Sequence, residues 1–205
     1  LVIEPDILLL DEPLSALDTR TREALREELK RIHRAQGTTT VHVTHDQTEA
    51  LLLADRVAII IDGLVAQIGS PQEVFNTPSS VMVADFLGVE NVIKGKIVEN
   101  VDGVACIEFN GYQLYASSSM DSGEVYTFLR PENIILSKAP IETSARNVLK
   151  STVENVTQLG SIYQIHLNTG LNAVVTHQSV EELELKPGTE IYASFKATAL
   201  HLIRH

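Results

Sequence analysis

Apolar positions along the first ninety residues switch between two periods. Ile7-Leu8-Leu9-Leu10 is an unbroken apolar run ending in two acids, as expected of a parallel strand buried on both faces. Asp18 or Thr19 caps a helix through Gln36, where Leu25, Leu29 and Ile32 recur at i, i+4 and i+7, and Gly37 stops it. Residues 39–44 read as a second strand. Asp46, with Glu49 three residues on, predicts a capping box opening a short helix over 47–54. Residues 56–61, Asp62-Gly63 and 64–68 read as strand, tight turn and strand. Two short helical pieces, around 71–76 and 79–86, close the region. This alternation predicts α/β structure.

From Asn91 the helical period nearly vanishes. Short β-rich runs are punctuated by Asp102-Gly103, Asn110-Gly111, Asn168-Thr169-Gly170 and Pro187-Gly188, a spacing that predicts a small all-β barrel or sandwich. The domain boundary is placed near Val89–Asn91, giving domains 1–90 and 91–205. Charge changes at the same place: 15 acids against 7 bases before it, 12 against 9 after it. No internal repeat stands out, and there is no low-complexity linker.

Composition bounds the classes. A 205-residue chain with 44% hydrophobic and 21% charged residues can bury a sizeable core in one or two domains. Its longest apolar runs, such as Val57–Ile61, fall far short of the roughly 20 residues that span a bilayer. A lone Cys106 excludes a disulfide framework and a cysteine zinc site, and reads as a small core residue. The net charge of −11 argues against a nucleic-acid partner. With no secretory signal at the start, a cytosolic protein is expected.

The strand ending Leu10-Asp11-Glu12-Pro13 carries the first candidate chemistry. Open α/β sheets place ligands at the carboxyl ends of their strands. There the first acid can hold Mg²⁺ through water, and the second can deprotonate a water attacking a γ-phosphate. Ser15-Ala16-Leu17-Asp18 follows at once, and Val43-Thr44-His45-Asp46 ends the next strand. His42 and His45 point to opposite faces of that strand, which argues against a metal pair. Arg20, Arg22, Arg26, Lys30, Arg31 and Arg34, alternating with Glu23, Glu27 and Glu28, read as a solvated, salt-bridged face.

These residues resemble the ATP-binding subunits of ABC transporters. Residues 8–13 resemble the Walker B strand with its catalytic glutamate, 15–18 the D-loop, and His45 the switch histidine. The resemblance implies that Asp11 serves Mg²⁺ and Glu12 is the general base. It implies as well that Asp18, counted with Asp11 among the nucleotide-binding residues, communicates across the dimer and that His45 senses the γ-phosphate. The phosphate-binding loop (Gly-x-x-x-x-Gly-Lys-[Ser/Thr]) and the signature motif are absent. The chain is therefore read as the C-terminal part of a longer subunit, inactive as an ATPase alone.

In the second half, residues 128–134 (Phe-Leu-Arg-Pro-Glu-Asn-Ile) resemble a segment of the accessory TOBE barrel of importer ATPases. Thr143-Ser144-Ala145-Arg146-Asn147, with 175–183, Lys186-Pro187-Gly188 and 195–198, is similar to molbindins, small molybdate-binding domains. That resemblance implies an oxyanion site of Ser144, Ala145, Arg146, Asn147, Lys196, Thr198, Thr176 and Ser179. Small residues let backbone N–H groups approach an oxyanion, while hydroxyls and a lysine add donors and charge. Ser151 stands where molbindins usually have glycine, and Ala197 where many have serine.

Together the resemblances imply an ABC importer ATPase for molybdate or tungstate, using ATP and Mg²⁺, whose C-terminal domain senses the oxyanion and inhibits transport. The implied partners are an identical ATPase subunit, transmembrane permease subunits and, indirectly, an extracytoplasmic oxyanion-binding protein. The implied location is the cytoplasmic face of the membrane. Two alternatives stay open: an importer ATPase for sulfate, sugar, iron or polyamine with a non-binding dimerisation barrel, and a cytosolic oxyanion-storage module.

Overall fold

The computed structural model describes residues 5–204. They form two compact units that divide between Thr77 and Pro78. The sequence boundary lies later, at Val89–Asn91, because the change to strand character starts there; the short helix ahead of it groups with the second unit. No helix among the described residues is long and apolar enough to cross a membrane.

In the first unit β1 (Ile7–Asp11) pairs in parallel with β2 (Thr39–Val43), from Ile7 opposite Thr39 to Asp11 opposite Val43. The crossover that a parallel pair requires is α1 (Thr19–Gln36). Asp18 caps it by accepting from the Thr21 N–H at 3.1 Å, and Gly37 ends it at φ 64°. Asp46 caps α2 (Gln47–Leu53), accepting from the Thr48 and Glu49 N–H groups at 2.8 and 3.2 Å. The expected capping box is only half made. Glu49 is buried on the inward face of α2 and sends its carboxylate to His42 at 3.2 Å, while the Thr44 hydroxyl accepts from the Asp46 N–H. A complete box forms at Ser70 and Glu73, opening α3 (Pro71–Asn76). Between these helices β3 (Val57–Ile61) and β4 (Leu64–Gly69) make the expected hairpin through Asp62-Gly63, both at positive φ.

Two sequence expectations fail here. The β1 run predicts burial on both faces, yet Ile7 and Leu9 are 59% and 73% exposed and Val41 and Val43 lie open beside them. A two-stranded sheet has two faces, and this unit packs only the one bearing Leu8, Leu10 and His42. The arginine-rich face of α1 is also not uniformly solvated. Arg31 pairs with Glu28 at the surface, but Arg26 is buried and Arg22 half-buried. The i, i+4 spacing sets Arg22 and Arg26 on the stripe facing α2, where Asp46 and Glu49 supply the opposite charge.

The second unit opens with α4 (Val81–Phe86). Then come β5 (Asn91–Val101), β6 (Val104–Phe109), β7 (Tyr112–Ser117), β8 (Gly123–Leu129) and β9 (Ile135–Ser137). After an exposed link follow β10 (Asn147–Leu159), β11 (Ile162–Leu167), β12 (Asn172–Thr176), α5 (His177–Leu183), β13 (Glu190–Phe195) and β14 (Leu200–Arg204). They make two five-stranded sheets, ordered β14-β8-β5-β6-β7 and β9-β13-β10-β11-β12. Side chains of both, among them Ile97, Ile107, Leu129, Ile165, Ile191 and Phe195, fill one core.

The two sheets are copies of one pattern. Asn91 opens β5 opposite Leu129 of β8, and Asn147 opens β10 opposite Phe195 of β13. Lys94 pairs with Glu124 at 3.2 Å in one sheet, Lys150 with Glu190 at 3.0 Å in the other. Each copy lends its last strand to the other, so β9 edges the second sheet and β14 the first. Both asparagines are buried and bind the backbone of the other copy's third strand. Asn147 exchanges two hydrogen bonds with Tyr115, its Nδ2 donating to the carbonyl and its Oδ1 accepting from the N–H. Asn91 does the same with Asn172 and also donates to the Leu129 carbonyl.

Candidate functional site

The first cluster lies at the carboxyl ends of β1 and β2. Asp11 closes the β1 ladder opposite Val43 and is exposed. Glu12 then leaves the strand at φ 44° while its N–H donates to the Val43 carbonyl at 2.9 Å. Positive φ is uncommon for a non-glycine residue and costs about 1 kcal/mol or more. The turn is held by the Ser15 hydroxyl and N–H, which both donate to the Glu12 carbonyl. It brings the Glu12 carboxylate to 3.2 Å from His45 Nδ1, with both side chains open to solvent. A carboxylate beside an imidazole, next to a free acid, can orient and deprotonate a water.

Asp18 is not gathered into that cluster. It serves as the N-cap of α1, and hydrogen bonds from Thr21 hold its carboxyl below the usual carboxylate range. Asp46, next to His45, caps α2 and faces Arg22 and Arg26. Burial pushes its carboxyl up, but the Glu49 and Thr48 N–H groups and Arg26 outweigh this and hold it below the ordinary value.

The second cluster is at the start of β10. Asn147 opposite Phe195 is the first rung of the β10–β13 ladder, so Arg146 and Lys196 leave it side by side. Ser144, Arg146, Lys196 and Thr198 are exposed and Ala145 is half-buried. Neither Arg146 nor Lys196 makes an ion pair among the described residues. The Ala145 N–H donates to the Thr143 hydroxyl at 2.8 Å, which folds the approach to β10 into a tight turn. Both polar atoms of the Asn147 amide bind Tyr115 and the residue is buried, so it anchors the strand rather than facing out. Ser151 lies further along β10, buried, with its hydroxyl 3.5 Å from that of Thr169.

Thr176 and Ser179 are elsewhere. Thr176 pairs with Ile162, which pairs with Leu159 at the far end of β10, about 40 Å of strand away at 3.3 Å per residue. There Thr176 caps α5, accepting from the Ser179 N–H, and the two hydroxyls lie 3.1 Å apart.

The opposite copy has an equivalent end with different chemistry. Glu90 precedes β5 where Arg146 precedes β10, and Arg130 follows β8 where Lys196 follows β13. Arg130 lies 3.4 Å from Glu132. One end is thus doubly cationic and the other balanced by acids.

Residues 143–202 match the TOBE domain family. Along 98% of its length the chain is 40% identical to the molybdate/tungstate import ATP-binding protein WtpC of Pyrococcus abyssi, covering 57% of that protein. It is 33% identical to the Fe(3+) ions import ATP-binding protein FbpC of Fusobacterium nucleatum, over 98% of this chain and 54% of that one. The chain thus spans somewhat more than half the length of the curated relatives it matches. Among solved structures, the cytoplasmic molybdate-binding protein ModG with molybdate bound superposes with a TM-score of 0.51 at 24% identity, over 57% of this chain and 97% of that one. That likeness shows a shared fold over the matched part of the chain.

Proposed function

From a chain homologous along 98% of its length to the ATP-binding proteins of ABC importers, with a TOBE domain at 143–202, we propose the C-terminal part of a subunit that powers molybdate or tungstate uptake. The observation that carries the hydrolytic reading is the 3.2 Å contact of Glu12 with His45 beside the exposed Asp11. Asp11 fits a magnesium ion held through water, and the ion would offset charge on the phosphates. Glu12 takes the proton of the attacking water. His45, with Nδ1 3.2 Å from Glu12 Oε1, keeps that carboxylate aimed at the phosphate end of the site. Amides of a phosphate-binding loop come from the rest of the subunit, so this chain alone releases no phosphate. In the complete subunit Glu12→Gln leaves ATP binding intact and lowers kcat by orders of magnitude, as removal of a general base does.

The β-rich unit is read as an oxyanion sensor, supported by the adjacent, unpaired Arg146 and Lys196. Thr176 and Ser179 lie too far along β10 to join them within one chain, so a site using both sets takes them from two copies. A symmetric homodimer through the β-rich unit follows. The parent subunit works at the cytoplasmic face against two transmembrane permease subunits, fed by an extracytoplasmic binding protein. Bound oxyanion favours one pairing of the two copies and so restrains the motor. A 100-fold preference between states supplies about 2.7 kcal/mol. Calorimetric titration of the chain with molybdate, tungstate and sulfate is the test. Uptake of the two larger ions with weak sulfate binding is expected, and Lys196→Ala weakens binding and relieves inhibition together. Absence of binding, with a transporter ATPase indifferent to molybdate, leaves the unit as a dimerisation spacer.

A further inference from the structure

One guanidinium joins the two loops that carry the hydrolytic pair. Arg22 sits on the first turns of α1, half-buried. Its Nε donates to the Leu14 carbonyl at 3.3 Å and its Nη2 to the Leu17 carbonyl at 2.9 Å. Both carbonyls belong to the loop that begins at Glu12, which is tied internally by the Ser15 hydroxyl and N–H on the Glu12 carbonyl and by the Leu17 N–H on that of Leu14. The third nitrogen, Nη1, lies 3.8 Å from Asp46 Oδ2. Asp46 follows His45, and its other oxygen caps α2 through the Thr48 and Glu49 N–H groups.

We propose that Arg22 is a positioning residue that holds the Glu12 loop in register with the His45 turn, acting through backbone carbonyls and Asp46 without touching nucleotide. The proposal rests on the hydrolytic reading above. Glu12 is held at positive φ by a short loop, and small shifts of that loop move its carboxylate away from His45. A planar fork with donors on three nitrogens can satisfy two carbonyls and an acid at once. The ammonium of a lysine, a single point, cannot span them. Arg26 braces the same carboxylate from the buried side, at 3.4 Å, so Asp46 keeps a charged partner when Arg22 is replaced, and α2 stays capped.

The experiment compares Arg22→Ala, Arg22→Lys and Glu12→Gln in the complete transporter. Arg22→Ala is expected to lower kcat at least tenfold with KM for ATP changed less than threefold. Arg22→Lys should recover no more than a third of the lost rate. In this chain, Arg22→Ala should speed hydrogen exchange of the Ser15 and Leu17 amides at least tenfold while the Tyr115 amide of the β-rich unit stays as protected as before. A kcat within twofold of the parent for Arg22→Ala overturns the proposal, as does full rescue by lysine. Parallel loss of ATP binding, of kcat and of Tyr115 protection also overturns it, since that pattern marks general unfolding. Unchanged hydrolysis in Glu12→Gln removes the hydrolytic reading and this proposal with it. Loss of hydrolysis in Glu12→Gln beside a normal Arg22→Ala removes the positioning role alone.

Discussion

Asn147 and His201 show how one side chain acquires a role that its neighbours in sequence do not announce. Within Ser-Ala-Arg-Asn the asparagine reads as a ligand by association, yet both of its polar atoms serve Tyr115. Replacing it with leucine leaves a buried N–H and carbonyl without partners, at about 1–3 kcal/mol each. Denaturant unfolding of Asn147→Leu should show a loss of a few kcal/mol, and Asn147→Leu should unfold more readily than Arg146→Leu at the exposed neighbour. His201 stacks on Phe128 with ring centroids 6.2 Å apart. Burial pushes its imidazole down, only partly opposed by the Pro78 carbonyl. The unfolded chain therefore binds the proton more readily than the folded one, and stability falls as pH drops below about 6.5 toward the lowered value. Thermal unfolding at pH 7.5 and 5.5 should show that drop, and His201→Gln should flatten it. Burial of this kind is set by tertiary packing and leaves no mark on a local pattern.

Elements were most legible where their ends carry local chemistry. The caps at Asp18 and Gly37 and the Asp62-Gly63 turn stand where propensity puts them. The half-made box at Asp46 was illegible because Glu49 had a competing partner, His42, seven residues back and across a strand. Gly95 of β5 illustrates a requirement visible only in three dimensions. A Cβ there would lie 2.6 Å from Ile107 Cγ2 and 2.9 Å from the Glu108 carbonyl oxygen, well inside contact distance, and the second obstacle is backbone. Gly95→Ala should therefore push β5 from β6 and lower the melting temperature by several degrees, since even small overpacking costs about 1–3 kcal/mol. Ser151 holds the corresponding position of β10, which the second sheet accommodates. The glycine that the molbindin pattern leads one to expect at 151 is thus needed in one copy and dispensable in the other.

At the scale of the whole molecule the duplication matters most. It was written in the sequence: Asn91-Val92-Ile93-Lys94 against Asn147-Val148-Leu149-Lys150, and Glu124-Val125-Tyr126 against Glu190-Ile191-Tyr192. The first pair is 56 positions apart and the second 66, because α5 and its turns lengthen the second copy, so no fixed period reveals it. The copies then diverged at one end each. In the first copy Glu132 pairs with Arg130 and Glu90 stands where the second has Arg146, so only the second end keeps two open cations, and titration should accordingly find one oxyanion per chain and not two. The exchange of β9 and β14 has a mechanical meaning as well. Each copy clasps the other, so cutting the exposed link at 138–144 severs the polypeptide without releasing either piece. A nicked chain should migrate on gel filtration as the intact one does. The pieces made separately should each present the bare edge that β9 or β14 ought to cover, and such edges template aggregation. Mixed during refolding, they should trade those strands and come back as a soluble, two-part molecule.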